Sequence, residues 1–365
     1  MDLEEKIARL YVSHVPKIGP KTFQEILKFY PSIVKIFEQD KRFLIEQFGQ
    51  TLGKSLYSLR YEYDTKKLEI NLEKYAINFT VFGDSDYPDS LESLSDPPIC
   101  LYYKGNLSSI DFSRSLAIVG TRKITEYGRS ITRKITEGLV NKGFVIVSGM
   151  AYGVDSIAHQ VALSRGGKTI AVLASSAHLP TPVGNTKLYT NILSGDGAII
   201  SENYISDKIT PGSFPRRNRI IAGCTLGTIV VEAGIKSGAC ITANIAFSEG
   251  RHVFAIPGNV GKTQSEGTNK LIKDSKAKLI ESVDDILVEF DYILESVPTS
   301  DKNKWEGCSK KEQEILQVLG RESYTMEGFS RVLELSTSDL GAILSMLEIR
   351  GLIAKGKDAR FRLIL

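Results

Sequence analysis

Between residues 76 and 292, short continuous apolar segments alternate with longer stretches of helical pattern, and no other feature constrains the fold as strongly. Continuous apolar strands are buried on both faces, which occurs when helices cover both sides of a parallel sheet. The alternation therefore predicts an α/β fold, a Rossmann-like parallel sheet with helices on both faces. The predicted strands are 116–119, 144–147, 169–173, 198–200, 228–231 and 252–256.

Residues 1–75 have the apolar spacing of helices. Two helical runs flank Val15–Lys21, a segment whose prolines and glycine break a helix. This order fits a helix-hairpin-helix, whose turn amides bind nucleic-acid phosphate, and it also fits a helical hairpin used only for packing. We predict a helix-hairpin-helix/SAM-like domain, with apolar faces formed by Ile7, Leu10, Tyr11, Phe23, Ile26, Leu27 and Tyr30.

A polar, turn-rich stretch at 297–303 predicts a linker before the last part of the chain. Beyond it, Ser309 and Glu312 have the spacing of a capping box, which begins a helix over 310–319. Two further helical runs and a terminal hairpin complete the pattern of a winged helix, at 325–334, 337–350 and 352–365. The predicted domains are a helical domain over 1–75, a Rossmann-like domain over 76–295 and a winged helix over 306–365.

Charge balance and apolar content exclude several classes of protein. Lysine and arginine total 46 against 43 acidic residues, a formal net charge of +3, so any basic surface for nucleic acid must be local. No apolar run reaches the roughly 18–20 residues of a membrane span, and the acidic N-terminus lacks the pattern of a secretion signal. We expect a cytoplasmic protein without membrane insertion. The four scattered cysteines predict neither a zinc site nor disulfides.

Two of the predicted strands end in glycine-rich loops that precede helices. Ligands of an open α/β sheet bind beyond the carboxyl ends of its strands. Glycine lets a ligand approach the backbone closely, and the unpaired amides and dipole at a helix start favour an anion such as phosphate. A single loop of this kind is more often a structural turn, whereas two on neighbouring strands favour an anion site. The candidate residues are Gly120, Thr121, Arg122, Ser148, Gly149 and Gly153.

Catalysis by nearby acids and a histidine is a second interpretation of this region. Asp155 and His159 lie four residues apart on one predicted helix face, and Glu202 and Glu232 end neighbouring strands, an arrangement open to metal or acid–base chemistry. Asp155 is explained more simply as the N-cap of its helix. Ser148 is not in a G-x-S-x-G elbow, and neither glycine loop has a dinucleotide or ATP spacing. We expect no catalytic residue, no metal and no cofactor.

The densest basic segment consists of Arg216, Arg217, Asn218 and Arg219. Like charges this close repel one another, which favours a polyanionic partner. The segment also fits a solvated surface turn. Equally, its arginines would brace the sheet if they paired with Glu232 or Asp155.

Several motifs in a fixed order give the middle of the chain a specific resemblance. They are Gly120-Thr-Arg122, Ser148-Gly-Met-Ala-Tyr-Gly-Val-Asp155, Phe214-Pro-Arg-Arg-Asn-Arg-Ile-Ile221, Val231-Glu-Ala233, Ser237-Gly238 and Phe254-Ala-Ile-Pro-Gly258. With the segments around them, these motifs extend over residues 80–290. This part of the chain resembles the DNA-processing protein A (DprA/Smf) family.

The resemblance implies a cytoplasmic bacterial protein that binds single-stranded DNA and loads the RecA recombinase during natural transformation. It also implies a homodimer formed through the Rossmann-like domain, and no catalytic turnover. In the same way, Arg122 matches a basic residue with which the family contacts DNA, and Lys168 is a further candidate at the start of the third strand. The family's Arg-Asn-Arg motif corresponds to Arg217, Asn218 and Arg219.

The chain departs from the family pattern in two loops. Its third strand is followed by 174–183, where Thr181 replaces a tyrosine and Val183 stands where a basic residue is common. Tyr152 replaces the commoner arginine of the second glycine loop, which removes a charge and adds a ring on which a base can stack.

Two other functions fit parts of the sequence. A nucleotide-binding or nucleotide-hydrolysing Rossmann-like enzyme would use the same glycine loops, although the chain lacks a Pro-Gly-Gly-x-Gly-Thr loop. A double-stranded DNA-binding regulator would act through 309–365, although its predicted recognition helix, 336–350, has few side chains that read bases. We therefore predict that the winged helix serves partner contacts or regulation.

Overall fold

The computed structural model divides the chain into two compact units, 1–291 and 292–365. The predicted linker at 297–303 lies outside the residues that the structure describes. Those residues are 1–15, 18–62, 64–290, 308–319, 324–333, 336–350, 352–356 and 359–363.

A nine-stranded sheet forms the centre of the first unit. Its strands are β1 (Asn78–Val81), β2 (Cys100–Gly105), β3 (Ser115–Val119), β4 (Val145–Ser148), β5 (Thr169–Val172), β6 (Ala198–Ser201), β7 (Gly227–Val230), β8 (His252–Ala255) and β9 (Lys278–Leu279). They lie in the order β1-β2-β6-β5-β4-β3-β7-β8-β9. Neighbours from β6 to β9 in this order are parallel, whereas β2 is antiparallel to both β1 and β6.

The six predicted strands are present as β3 to β8, and each boundary lies within one residue of its prediction. The α/β fold with a mostly parallel sheet is therefore confirmed. Strands β1, β2 and β9 were not predicted from the sequence. Strands β1 and β9 form the two edges of the sheet, and their partly exposed residues do not produce a continuous apolar run.

The first unit also contains thirteen helices among its described residues. They are α1 (Leu3–Ser13), α2 (Pro20–Phe29), α3 (Val34–Phe37), α4 (Lys41–Glu62, interrupted at Gly49), α5 (Thr65–Lys74), α6 (Asp89–Glu92), α7 (Glu126–Asn141), α8 (Val154–Ser164), α9 (Thr186–Ser194), α10 (Ser213–Gly223), α11 (Gly238–Ser248), α12 (Thr263–Lys273) and α13 (Asp284–Leu287). Short 3₁₀ turns lie at Leu107–Ser109, Phe112–Arg114, Val183–Asn185 and Val288–Phe290.

Alternate residues of the central strands face opposite helical layers, as the pleat of a strand requires. Ile170 and Val172 of β5 belong to a core shared with α10 and α11, whereas Ala171 belongs to a core shared with α1, α5 and α9. Burial on both faces explains why these strands contain few polar residues. The loops at the carboxyl ends of β3 and β4 lead into helices α7 and α8.

The N-terminal helices bury the apolar residues that predicted them, among them Leu10 of α1 and Phe23 of α2. Helices α1 and α5 pack against Val81 and Tyr102 of the sheet in one core, so they belong to the same compact unit as the strands. Residues 16 and 17, in the middle of the predicted turn, lie outside the described residues. The helix-hairpin-helix/SAM-like assignment therefore stays a prediction.

The second unit contains three helices, α14 (Lys310–Leu319), α15 (Met326–Leu333) and α16 (Thr337–Ile349), followed by an antiparallel pair, β10 (Ile353–Lys355) and β11 (Phe361–Leu363). The predicted capping box is present. The amide of Ser309 donates to Oε2 of Glu312 at 2.6 Å, and the amide of Glu312 donates to Oγ of Ser309 at 3.3 Å. The elements occur in the predicted order, and their assignment as a winged helix stays a prediction.

Within the described residues, no helix is both long enough and apolar enough to cross a membrane. Three of the cysteines, Cys100, Cys224 and Cys240, are buried as thiols, and Cys308 is partly buried. The same part of the chain contains no group of three or more histidine, cysteine or acidic side chains that could hold a metal ion.

Candidate nucleic-acid interface

The loops after β3, β4 and β5 meet at the carboxyl edge of the sheet, beside the point between β3 and β7 where the strand order reverses. Open α/β sheets bind their ligands at such a point. A pocket of about 110 Å³ opens there. It is lined by Arg122, Gly149, Ala151, Tyr152, Ala174, Thr181, Pro182, Phe214 and Arg217.

An exposed guanidinium and two aromatic rings form the outer part of this pocket. The guanidinium carbon of Arg122 lies 5.7 Å from the centroid of the Phe214 ring, within the range of a cation–π contact. Tyr152 is 49% exposed, and its hydroxyl packs against Gly184, where any Cβ would overlap it. The sequence therefore brings a cation and two rings together on the surface of one pocket.

Arg217, in contrast, is buried and bonded to the backbone. Its Nη1 donates to the carbonyl oxygens of Gly149 at 2.7 Å and of Val172 at 2.6 Å, and its Nε donates to Oδ1 of Asn218 at 3.0 Å. Burial lowers the pKa of Arg217; Asp155 opposes this change and Arg122 adds to it. Arg217 therefore joins the ends of β4 and β5 behind the pocket.

Arg216 and Arg219 share one carboxylate, Glu202, at the end of β6. Arg219 Nη2 lies 2.5 Å from Oε1 of Glu202, and Arg216 Nη2 lies 3.2 Å from Oε2. Arg219 also donates to the carbonyl oxygen of Asp96. Arg216 and Arg219 therefore pair with Glu202 and not with Glu232 or Asp155, whereas Arg217 interacts electrostatically with Asp155.

Only one side chain of the basic segment remains exposed. Arg216 has a side-chain exposure of 62%, whereas Arg217, Asn218 and Arg219 are buried. The Nδ2 group of Asn218 donates to the carbonyl oxygen of Gly238 at 3.3 Å, which ties α10 to the start of α11. The positive charge that this segment presents to solvent is therefore smaller than its sequence indicated.

The N-terminus of α7, which we expected to accept a phosphate, is occupied by the side chain of Glu232. Its Oε2 accepts from the amide of Thr125 at 3.0 Å, and its Oε1 accepts from the Thr125 hydroxyl at 2.5 Å. The backbone oxygen of Glu232 accepts from the amide of Thr121 at 2.7 Å. The anion that complements this helix start is thus the protein's own carboxylate.

The side chain of Asp155 likewise accepts hydrogen bonds from backbone amides of the second glycine loop. Its Oδ2 accepts from the amides of Gly149 at 3.1 Å and Ala151 at 3.4 Å. The N-cap of α8 is Gly153, so the expectation that Asp155 is the N-cap is wrong: it is the second residue of the helix. Burial raises the pKa of the Asp155 carboxyl, an effect that Arg217 and the two amides oppose.

The glycines allow the two loops to pack closely. A Cβ at Gly149 would overlap the Arg217 guanidinium, and a Cβ at Gly153, where φ is +82°, would overlap the carbonyl oxygen of Thr121. Gly120 packs in the same way against Val154. These glycines position the site, and the amides of Arg122, Tyr152 and Gly153 form no hydrogen bond within the described residues.

Three further sequence candidates lie away from the open part of the pocket. Ser148 is buried and donates to the carbonyl oxygen of Ile118 at 2.6 Å. Lys168 precedes β5 at the amino edge of the sheet, where its Nζ donates to the carbonyl oxygen of Ser109 at 2.6 Å. His159 is buried, and burial lowers its pKa to about 3, so its imidazole is neutral near pH 7.

The sequence analysis did not assign Phe214 or the loop residues Ala174, Thr181 and Pro182 to the site, although all four line the pocket. The sequence could have indicated Phe214, because this aromatic residue lies two positions before the basic segment that begins at Arg216. The other three lie in 174–183, the loop in which the chain departs from the family pattern, and their residue types carry no charge or ring that would indicate binding.

Comparison with known proteins supports the resemblance seen in the motifs. The family model of DNA recombination-mediator protein A matches residues 78–291. The DNA processing protein DprA of Streptococcus pneumoniae is 39% identical over 292 residues, which cover 79% of this chain and 100% of that protein. Protein Smf of Escherichia coli is 34% identical over 263 residues, which cover 72% of this chain and 70% of that protein.

Solved structures agree with this assignment. The X-ray structure of DNA processing protein A from Streptococcus pneumoniae matches with a TM-score of 0.67 and 33% identity, covering 78% of this chain and 96% of that one. A structure of DNA processing protein A from Helicobacter pylori, described for its single-stranded DNA binding mode, matches with a TM-score of 0.53 and 30% identity, covering 59% and 97%. The chain therefore belongs to the DNA recombination-mediator protein A (DprA/Smf) family.

Proposed function

We propose that the protein is a non-enzymatic, single-stranded DNA-binding recombination mediator that loads the RecA recombinase in the bacterial cytoplasm during natural transformation. One observation carries the proposal: the exposed Arg122 guanidinium lies beside the Phe214 ring, in the pocket that Tyr152 also lines. Proteins that bind single strands combine cations that follow the phosphates with rings on which unpaired bases stack.

The phosphates of the strand would contact the exposed cations of this edge, Arg122 and Arg216. The unbonded amides of Tyr152 and Gly153 add donors of the kind that phosphate accepts. These groups address the backbone of DNA and not the edges of its bases, so we expect little sequence preference. Affinity should fall steeply with salt, because each neutralised phosphate releases counterions.

The relatives support the same ligand. The Helicobacter pylori protein is described by its single-stranded DNA binding mode, and the Streptococcus pneumoniae protein is a DNA processing protein. We extend the first property to this chain because the two structures match over 59% of this chain with a TM-score of 0.53.

A nucleotide-hydrolysing enzyme is the weaker alternative for this pocket. A volume of about 110 Å³ is small beside the roughly 300–1,000 Å³ of sites that enclose a small molecule. The groups that suggested acid–base chemistry are also engaged internally, since Asp155 accepts from two loop amides and His159 bonds Thr169. The volume and these contacts favour a polymer that lies across the edge over a nucleotide held within it.

The homodimer and the contact with RecA belong to the same proposal. Exposed apolar side chains often mark sites of protein–protein contact, and several are present on the β7–β8 side of the sheet. The exposed apolar side chains there are Ile235, Ile241, Phe247 and Val260.

We assign the terminal regions to accessory roles, as a helix-hairpin-helix/SAM-like domain and a winged helix. Helix α16, the expected recognition helix, contains no lysine, arginine, asparagine or glutamine. Those residue types make most contacts with base edges in the major groove. This composition disfavours a regulator of double-stranded DNA and favours partner contacts or regulation by the second unit.

The test compares Arg122→Ala with Lys142→Ala in gel shifts over a salt series, with single- and double-stranded DNA of equal length. Lys142 is an exposed cation at the end of α7, on the opposite edge of the sheet, so it controls for the loss of one charge. Of these two variants, we expect only Arg122→Ala to weaken single-strand binding, and we expect it to reduce the salt slope by about 0.7. Equal retention of both DNAs by the wild type, or equal behaviour of the two variants, would contradict the proposal.

A further inference from the structure

A second pocket, of about 940 Å³, lies in the first unit between helices α1, α4 and α5 and the segment that follows β6. Its volume falls within the range of sites that enclose a small molecule. The side chains that matter for its chemistry are Tyr11, His14, Lys54, Tyr61, Lys67 and Tyr204. None of them belongs to the site at the β3–β5 edge.

One wall of this pocket is aromatic and held in place. The rings of His14 and Tyr204 lie 4.8 Å apart, and Tyr204 lies 5.5 Å from Tyr102. The hydroxyl of the buried Tyr102 is 2.7 Å from Nε2 of His14. The His14 ring adds to the flat surface of the wall; desolvation lowers its pKa, and the charge of Asp207 opposes this change.

Two lysines give the pocket an attraction for anions. Lys54 of α4 and Lys67 of α5 line it and are exposed, and neither ammonium group forms an ion pair or hydrogen bond within the described residues. Among the described residues, Asp64, which lines the pocket, and Asp207, which directly follows the lining residues, both accept from backbone amides. Asp64 accepts from the amide of Lys67 at 3.0 Å, and Asp207 accepts from the amide of Tyr204 at 2.8 Å.

One wall of the pocket, formed by 204–206, follows the carboxyl end of β6, at the same edge of the sheet as the first site. Tyr204 follows β6, and β6 is the neighbour of β5, whose carboxyl end contributes to the first pocket. Glu202, which ends the β6 segment between them, would repel a phosphate. Its charge is opposed by two guanidinium groups, those of Arg216 and Arg219.

We propose that this second pocket binds a nucleotide unit, with the base against the tyrosine and histidine rings and the phosphate on Lys54 and Lys67. Flat stacking surfaces beside cations favour that ligand over an anion without a ring. Two sources share this chemistry: a nucleotide of the strand bound at the β3–β5 edge, which rests on the proposed function, and a free mononucleotide, which does not.

The charge test compares two double variants of the full-length protein. Lys54→Ala/Lys67→Ala removes the cations of the pocket, and Lys35→Ala/Lys66→Ala removes two exposed lysines of the same helical region that do not line it. Binding of a single strand of about 16 nucleotides, a length at the upper end of known site sizes, and of dAMP is measured by fluorescence anisotropy and calorimetry. We expect at least a fivefold loss of affinity in the first variant only, with a strand salt slope smaller by about 1.4.

The stacking test uses Tyr61, a further ring of the pocket lining, which is 75% exposed and contacts the Tyr57 ring at 5.8 Å. Tyr61→Ala should weaken binding, whereas Tyr61→Phe should retain it, because the ring and not the hydroxyl makes the contact. A loss with the 16-mer identifies the bound strand as the source, and a loss with dAMP identifies a free nucleotide.

Equal binding by the lining and control variants overturns the proposal, and so does a lysine effect without a Tyr61 effect. Arg122→Ala, measured alongside, separates the two proposals. If it leaves strand binding intact, the proposed function fails, whereas the dAMP measurement still tests this pocket.

Discussion

Arg122, in the loop after β3, and Arg217, in helix α10, line the same pocket but have opposite surroundings. Arg122 is exposed and contacts a ring, with no ion pair among the described residues. Arg217 is 8% exposed and donates to the backbone of two strand ends. One guanidinium is available to a ligand, and the other holds together the loops that form the site.

The same contrast between exposed and buried guanidinium groups occurs within the basic segment 216–219. Arg216 faces solvent, Arg219 is buried against Glu202, and Arg217 joins β4 to β5. The repulsion between neighbouring cations, which suggested a polyanionic partner, is reduced by an internal carboxylate, that of Glu202. Burial, and not residue type, therefore decides which arginine is available to a ligand and which one braces the fold.

Removing the buried Arg217 side chain should reduce the stability of the protein most. Arg217→Ala leaves the carbonyl oxygens of Gly149 and Val172 without their donor in a buried place, so the free energy of unfolding should fall by about 3 kcal/mol. Chemical denaturation monitored by circular dichroism measures it. Arg122→Ala is the matched control, with an expected change below about 0.5 kcal/mol. Similar losses for the two variants would remove the distinction between them.

The buried His159 should make the stability of the protein depend on pH. Burial lowers the pKa of His159 from 6.5 to about 3, and the charge of Arg217 adds to the effect. Below pH 6.5, His159 binds a proton in the unfolded chain but not in the folded protein. The free energy of unfolding therefore falls by about 1.4 kcal/mol per pH unit. From pH 6.5 to about pH 5 the loss is about 2 kcal/mol.

His159→Gln lacks this titration, and its stability should vary less over the same pH range. Denaturation of both proteins at several pH values measures the difference between their slopes. Parallel curves would show that His159 titrates normally and that the interior behind the pocket is not the dry environment its contacts indicate.

The sequence predicted the sheet well because β3 to β8 are buried on both faces, and complete burial produces an apolar run that a single sequence shows directly. It missed β1 and β9 because edge strands have one partner and keep polar residues. The capping box at Ser309 and Glu312 was found because both partners lie within four residues of each other. Local chemistry and complete burial were thus visible in the sequence.

The site was predicted less completely because its bonds join residues far apart in the chain. Nothing near Arg219 in the sequence indicates Glu202, and nothing near Thr125 indicates Glu232. The glycine loops were located correctly, yet their helix starts proved to be complemented by internal carboxylates. The spacing of residues located the edge of the sheet, and only the packing shows which polar groups there remain unpaired.

The glycine that brings the two loops together should have an intermediate effect. Gly153→Ala places a Cβ at φ +82° and against the backbone of the loop that carries Arg122, which should cost about 1–2 kcal/mol of stability. It should also weaken single-strand binding by displacing that loop. Gly166→Ala is the control, since Gly166 has φ +69° with open space around it at the end of α8. Loss of binding in both variants would mean that strain alone, and not the contact between the loops, governs the site.

The smallest expected change in stability is at Arg216, and it tests the comparison within one helix. The side chain is 62% exposed and shares Glu202 with Arg219, so Arg216→Ala should change the free energy of unfolding by less than about 0.5 kcal/mol. Its effect should appear in DNA binding instead, as a salt slope reduced by about 0.7 in anisotropy titrations. Intact binding would assign α10 wholly to bracing and leave Arg122 as the ligand's cation at this edge. Destabilisation as large as that of Arg217→Ala would mean that Glu202 needs both of its guanidinium partners.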